Sequence, residues 1–160
     1  MAEVFNTFSA ELQNLYQEVV IDHSKRPRNF RKMDDSTLHA DGYNPLCGDK
    51  VSIFLKMDGE RVVDASFQGS GCAISTSSAS LLTEALKGKT RAEVESIFTE
   101  VHKLVTEGSA GADQAKLGKL AVFSGVWKYP ARVKCASLAW HTMKAALEGE
   151  AAKISTEEHV

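Results

Sequence analysis

Three cysteines and one carboxylate stand out as groups that could do chemistry: Cys47 and Asp49 in NPLCGDK, Cys72 in QGSGCAIS and Cys135 in RVKCAS. A cysteine that merely fills a core sits inside a helix or strand as a small apolar group. Cys47 instead lies between Pro45 and Gly48, residues that bend the chain and keep it near water. Cys72 follows a Gly-Ser-Gly bend at the mouth of a helix, and the pattern has Cys135 opening another. All three fall at element ends, where a fold can bring distant segments together. Zinc takes four ligands from cysteine sulfur, histidine nitrogen and carboxylate oxygen. Three sulfurs with Asp49 as the fourth donor would make such a set, and Gly48 lets the backbone curl so that Cys47 and Asp49 face one ion. Helix N-termini would favour the thiolate at Cys72 and Cys135. Lys50, Arg132 and Lys134 lie close by in sequence and could offset the excess negative charge. Spacing alone leaves two readings open, because there is no C-x-x-C: a metal centre, or three separate inert thiols. In a centre, Cys47 would be the donor easiest to move, and its release would expose an activated thiolate.

The elements that must position these groups read as follows. Leu12, Leu15, Tyr16, Val19 and Val20 follow helical spacing and predict a helix over 9–24, stopped by Pro27. Residues 26–46 are polar, with one short strand expected over 37–40. VSIFLKM and VVDASFQ alternate, placing Val51, Ile53, Leu55 and Met57 on one face and Val63, Ala65 and Phe67 on another. Asp58-Gly59 between them predicts a tight hairpin. A helix is expected from 74 to about Gly88, and Thr90 with Glu93 forms a capping box for the next. Residues 108–115 read as a flexible link and 117–123 as a short fourth helix. KYPARVK reads as extended or turning around Pro130, with the last helix over 135–147. The fold class is α+β, a small antiparallel sheet against about five helices. Residues 1–150 form a single domain and 151–160 a polar, frayed tail.

Composition narrows the function. A formal net charge of -2 disfavours a general nucleic-acid binder. No apolar run is long enough to span a bilayer, and the N-terminal residues lack a secretory pattern. The expectation is a protein of the reducing cytoplasm with free or metal-bound thiols. Gly69 and Gly71 do not make a dinucleotide fingerprint, because Ile74 stands where the third glycine belongs. The serine run 75–80 reads as a close-packing helix face, His141 as a helix-face residue, and His23 as a helix C-terminal charge or a docking contact.

Taken together, NPLCGDKV, QGSGCAISTSSASLLTEALKGK and YPARVKCASLAWHTMKAAL resemble the three cysteine segments of the IscU/NifU scaffold superfamily, and more closely its SufU branch. Scaffold-type members carry a histidine before the third cysteine, where this chain has Lys134, and a shorter stretch between the second and third cysteines. The resemblance implies an IscU/SufE-like fold and zinc held by Cys47, Asp49, Cys72 and Cys135. It implies a sulfur-accepting role for Cys47, which takes persulfide sulfur from a pyridoxal-phosphate cysteine desulfurase after a partner histidine replaces it on zinc. Sulfur would then pass to a downstream iron–sulfur scaffold. It lends Arg132 and Lys134 a supporting or partner-binding role. The alternative is a scaffold that assembles a [2Fe–2S] cluster on the same cysteines.

Overall fold

The computed structural model describes the backbone of residues 2–108, 113–149 and 154–155. Helix α1 spans Ala2–Lys25 and is followed by β1 (Leu38–Asn44), β2 (Asp49–Asp58) and β3 (Arg61–Ser70). Then come α2 (Ala73–Leu86), α3 (Arg91–Glu107), a short α4 (Gln114–Leu117), two 3-10 segments (Gly118–Phe123 and Val126–Lys128), α5 (Pro130–Leu147) and β4 (Ile154–Ser155). The expected link over 108–115 lies partly outside the described residues, but Asp113 at its far end donates its N–H to Glu100 Oε2 at 2.6 Å. Where a frayed tail was expected, Ile154–Ser155 pair in parallel with Gly42 and Tyr43 of β1. No helix among the described residues is long and apolar enough to cross a membrane.

The sheet order is β3-β2-β1-β4, and the two hairpins are antiparallel. Gly59 takes a φ of 61° in the tight β2–β3 turn, the left-handed conformation that glycine adopts without a Cβ penalty. The alternation read for β3 is broken by a bulge. The register shifts after Lys56, so Val62 points into the core while Val63 is 45% exposed. An extra residue on one strand reverses which side chains face inward. Ile53, Leu55, Ala65 and Phe67 line the buried face against Leu82, Leu86, Leu138 and Met143 of the helices. Helix α5 lies against β1 and β2, α2 against β3, and α1 against α2.

The serines of α2 do pack against other helices. Ser78 Oγ donates to the Ala136 carbonyl at 2.7 Å and accepts from Trp140 Nε1 at 3.2 Å, deep between α2 and α5. This polar clamp fixes the two helices that carry Cys72 and Cys135. Helix α3 has the capping box read from Thr90 and Glu93, with both reciprocal bonds made.

Two further readings need correction. Helix α5 begins at Pro130, not near Cys135, because proline is well tolerated at the first helical position, where its missing N–H has no partner to lose. The backbone restriction before a proline falls on Tyr129, which is extended, and not on the residues that follow. His23 does lie in the last turn of α1, but it is covered and not available as a docking contact. It is 2% exposed, with Nδ1 2.7 Å from Ser80 Oγ and Nε2 3.6 Å from Glu84.

Burial, aided by the Arg28 cation, lowers the His23 pKa below its ordinary value, while Glu84 and Asp22 pull the other way and Lys119 adds slightly to the lowering. The folded state therefore prefers the neutral ring. Its contribution to stability is complete above about 6.5, the ordinary histidine value, and is lost as pH falls through the lower folded value. A His23→Gln chain is expected to show a shallower fall of melting temperature over that window, measured by thermal denaturation across a pH series. An identical slope for the two chains contradicts this.

Candidate metal centre

The three cysteine segments converge at one end of the sheet. Cys47 lies on the hairpin loop 45–48, between Asn44 at the end of β1 and Asp49 at the start of β2, which face each other across the pair. Gly48 makes that loop possible: its φ is 73°, and its N–H donates to the Asn44 carbonyl at 2.8 Å. Cys72 is the N-cap of α2, and its sulfur accepts from Ser75 N–H at 3.4 Å. Cys135 lies in the second turn of α5 and is buried, whereas Cys47 and Cys72 are exposed.

One donor atom each from Cys47, Asp49 and Cys135 falls within 4.8 Å of the other two. The Cys47 and Cys135 sulfurs are 3.7 Å apart. Cys72 joins from the carboxylate side, its sulfur 3.9 Å from Asp49 Oδ2. Asp49 is the pivot. It is 0% exposed, and its Oδ1 accepts the Cys72 backbone N–H at 2.9 Å. A buried carboxylate is costly unless paired or hydrogen-bonded, so this one must be held by donors or by a cation. Gly71 lets it approach: a Cβ there would meet Asp49 Oδ1 at 2.5 Å.

The sulfurs are electrostatically unlike. The Cys72 pKa is brought down to about 6, first by the facing Cys135 thiol and also by N–H groups at the start of α2. The Cys135 pKa is raised, by the Cys72 thiolate opposite, by burial and by Asp49. The helix-terminus effect expected at both cysteines therefore operates at Cys72 alone. Cys135 sits too far inside α5 to feel the free N–H groups of the first turn.

Arg132 and Lys134 are carried by the first turns of α5. Arg132 is exposed and stacks its guanidinium 4.4 Å from the Tyr129 ring centroid. It lines a groove of about 770 Å³ with Tyr16, Ile21, Ile74, Val126 and Tyr129, beside the Cys72 end of α2. His141 packs edge-on to Phe98, with ring centroids 5.6 Å apart, as a helix-face residue. The residue that the sequence reading passed over is Asn44. It is 0% exposed, with Nδ2 3.3 Å from Asp49 Oδ2 and 3.6 Å from Cys135 Sγ. Its only signal was its place directly before the Pro45 turn, where asparagine is common for backbone reasons alone.

The sequence pattern of the NifU-like N-terminal domain matches residues 15–149. The chain belongs to that family. Within it, the chain is 41% identical over 141 residues to a protein of Bacillus subtilis named zinc-dependent sulfurtransferase SufU, covering 86% of this chain and 92% of the relative. It is 36% identical over 152 residues to the iron–sulfur cluster assembly scaffold protein IscU of Streptococcus pyogenes, covering 94% of each. A crystal structure from Fervidobacterium islandicum, described as a candidate iron–sulfur cluster assembly scaffold for the SUF system, superposes with a TM-score of 0.77 at 34% identity, over 81% of this chain and 94% of that one. A NifU-like N-terminal domain from Brucella abortus shares the fold at 19% identity, with a TM-score of 0.77 over 93% of this chain and 99% of that one. The chain is thus a member of the SufU and IscU-like family of iron–sulfur cluster assembly proteins.

Proposed function

We propose that this protein is a zinc-bound sulfur acceptor for a pyridoxal-phosphate cysteine desulfurase, passing the sulfur on to iron–sulfur cluster assembly in the cytoplasm. The observation that carries this reading is the donor set itself: sulfurs of Cys47, Cys72 and Cys135 gathered around the buried carboxylate of Asp49. Three sulfurs and one oxygen match the donors of four-coordinate zinc. Bound zinc would keep these sulfurs deprotonated at neutral pH. The likeness to a relative named as a zinc-dependent sulfurtransferase supports zinc over a cluster, as does Lys134 in the position before the third cysteine.

Exposure does not separate Cys47 from Cys72, but tethering does. Cys72 is tied through its backbone N–H to Asp49 and through its sulfur to the start of α2, and Cys135 is buried in α5. Cys47 sits on the exposed loop 45–48 and has the most freedom to turn outward. Its thiolate attacks the outer sulfur of the partner's cysteine persulfide. A new S–S bond forms at Cys47, the partner's S–S bond breaks, and the partner cysteine leaves as a thiolate. The groove beside Cys72, with Lys128 and Arg132 among its lining residues, is a docking face suited to an acidic patch around the partner's active site.

The test is a desulfurase assay with the zinc-loaded chain. Cysteine turnover is expected to rise in proportion to added chain, which should gain the mass of one sulfur atom at Cys47. A chain that leaves turnover unchanged and instead assembles a [2Fe–2S] cluster and transfers it intact favours the scaffold reading. Gly71→Ala gives a second check. The added methyl meets Asp49 Oδ1 at 2.5 Å, so the carboxylate must shift. Zinc affinity, measured by chelator competition, is expected to fall by about 10-fold or more, the scale found when a supporting contact to a ligand is disturbed. Unchanged affinity contradicts the pivotal place given to Asp49.

A further inference from the structure

Asn44 reaches two of the gathered donors from a single buried side chain. Its Oδ1 accepts the Leu46 N–H at 3.2 Å, which fixes the orientation of the amide. Nδ2 therefore faces the acceptors, 3.3 Å from Asp49 Oδ2 and 3.6 Å from Cys135 Sγ. An amide nitrogen carries two hydrogens and can serve both at once. The backbone carbonyl of Asn44 also accepts the Gly48 N–H at 2.8 Å, so the same residue closes the loop that carries Cys47.

We infer that Asn44 is a positioning residue of the metal centre: its amide pins the Asp49 carboxylate and the Cys135 sulfur in their ligating places. This rests on the zinc-centre reading above. Asp49 is then held on both oxygens, by Cys72 N–H on Oδ1 and by Asn44 Nδ2 on Oδ2. Its carboxylate is oriented before any metal arrives. The contact also answers a charge problem. Three thiolates and a carboxylate place four negative charges around a divalent ion, and a neutral N–H donor relieves part of that excess. A lysine in the same place would be a strongly hydrated cation on a flexible stem, costly to bury. An aspartate there would offer no proton at neutral pH and would compete as a ligand. Asparagine delivers two donors at short reach and has no charge of its own.

The test compares the unaltered chain with Asn44→Leu, which keeps the branched shape without donors, and with Asn44→Ala. Folding is checked by circular dichroism. Zinc affinity is measured by chelator competition, and ligand geometry by the visible absorption of the cobalt(II)-substituted protein. The expected result is a loss of about 10- to 100-fold in zinc affinity in both folded variants, the range for groups that orient ligands, together with a changed cobalt spectrum. Folded variants with unaltered affinity and an unaltered cobalt spectrum overturn the inference. If neither variant folds, NMR of the unaltered chain loaded with the spin-active cadmium isotope decides. A coupling between cadmium and the Asn44 side-chain amide protons, carried through the N–H···S contact, upholds the inference, and its absence overturns it. An unaltered chain that takes up no zinc overturns both the centre and this assignment, whereas intact zinc binding with indifferent Asn44 variants overturns this assignment alone.

Discussion

A Cys47→Ala chain offered to a cysteine desulfurase is expected to leave turnover at its unstimulated rate and to acquire no sulfur. The effect is complete because the alanine has no sulfur to form the new bond. The neighbouring thiols cannot substitute. The Cys135 sulfur is buried in α5, where a partner's persulfide does not reach it. Cys72 has thiolate character, but its backbone N–H is bound to Asp49 and its sulfur caps α2. Turning its sulfur outward would break the cap on α2. The same variant should still bind the desulfurase, since the groove beside Cys72 and Arg132 does not include residue 47. Two measurements separate these effects: turnover against added chain, and binding by calorimetry. Full stimulation by Cys47→Ala contradicts the acceptor role, and loss of binding with it contradicts the placement of the docking face.

Asp49→Ala should have the largest effect on metal binding. Structural zinc contributes about 10–16 kcal/mol in small zinc-binding peptides, so one of four ligands carries about 2.5–4 kcal/mol of it. That corresponds to an affinity loss of about 100- to 1,000-fold. The loss extends beyond one oxygen, because Asp49 also holds the Cys72 N–H and the Asn44 amide, which are left without that acceptor. The stabilisation that excess zinc gives to the folded chain should shrink in step, since it grows with the logarithm of ligand concentration over its dissociation constant. Melting temperature with and without zinc, together with chelator competition, reads both quantities. A zinc-dependent rise in melting temperature equal to that of the unaltered chain would remove Asp49 from the ligand set.

Much of this architecture is legible in the residues themselves. The Asp58-Gly59 turn, the β2 alternation and the Thr90 capping box are local signals, and the structure has all three. The family segments lie at one end of the sheet, with donor atoms of Cys47, Asp49 and Cys135 within 4.8 Å of one another and the Cys72 sulfur 3.9 Å from Asp49 Oδ2. What escaped the sequence reading depends on tertiary context. The bulge that turns Val63 outward is set by how β3 pairs with β2, not by either strand alone. Proline signals an end when read from its N-terminal side and a beginning when read from its C-terminal side, so the pattern alone leaves Pro130 outside α5 although it starts it. His23 sits in a polar stretch yet is covered by α2, whose Ser80 and Glu84 come from far along the chain. Asn44 carries no local signal for its contact to Cys135, which comes from a distant helix.

X-ray absorption at the zinc edge of the loaded chain tests the central claim most directly. Three sulfurs at about 2.3 Å and one oxygen at about 2.0–2.2 Å are expected. Two or fewer sulfurs, or a nitrogen-rich shell, would mean that Cys47, Asp49, Cys72 and Cys135 do not share one ion.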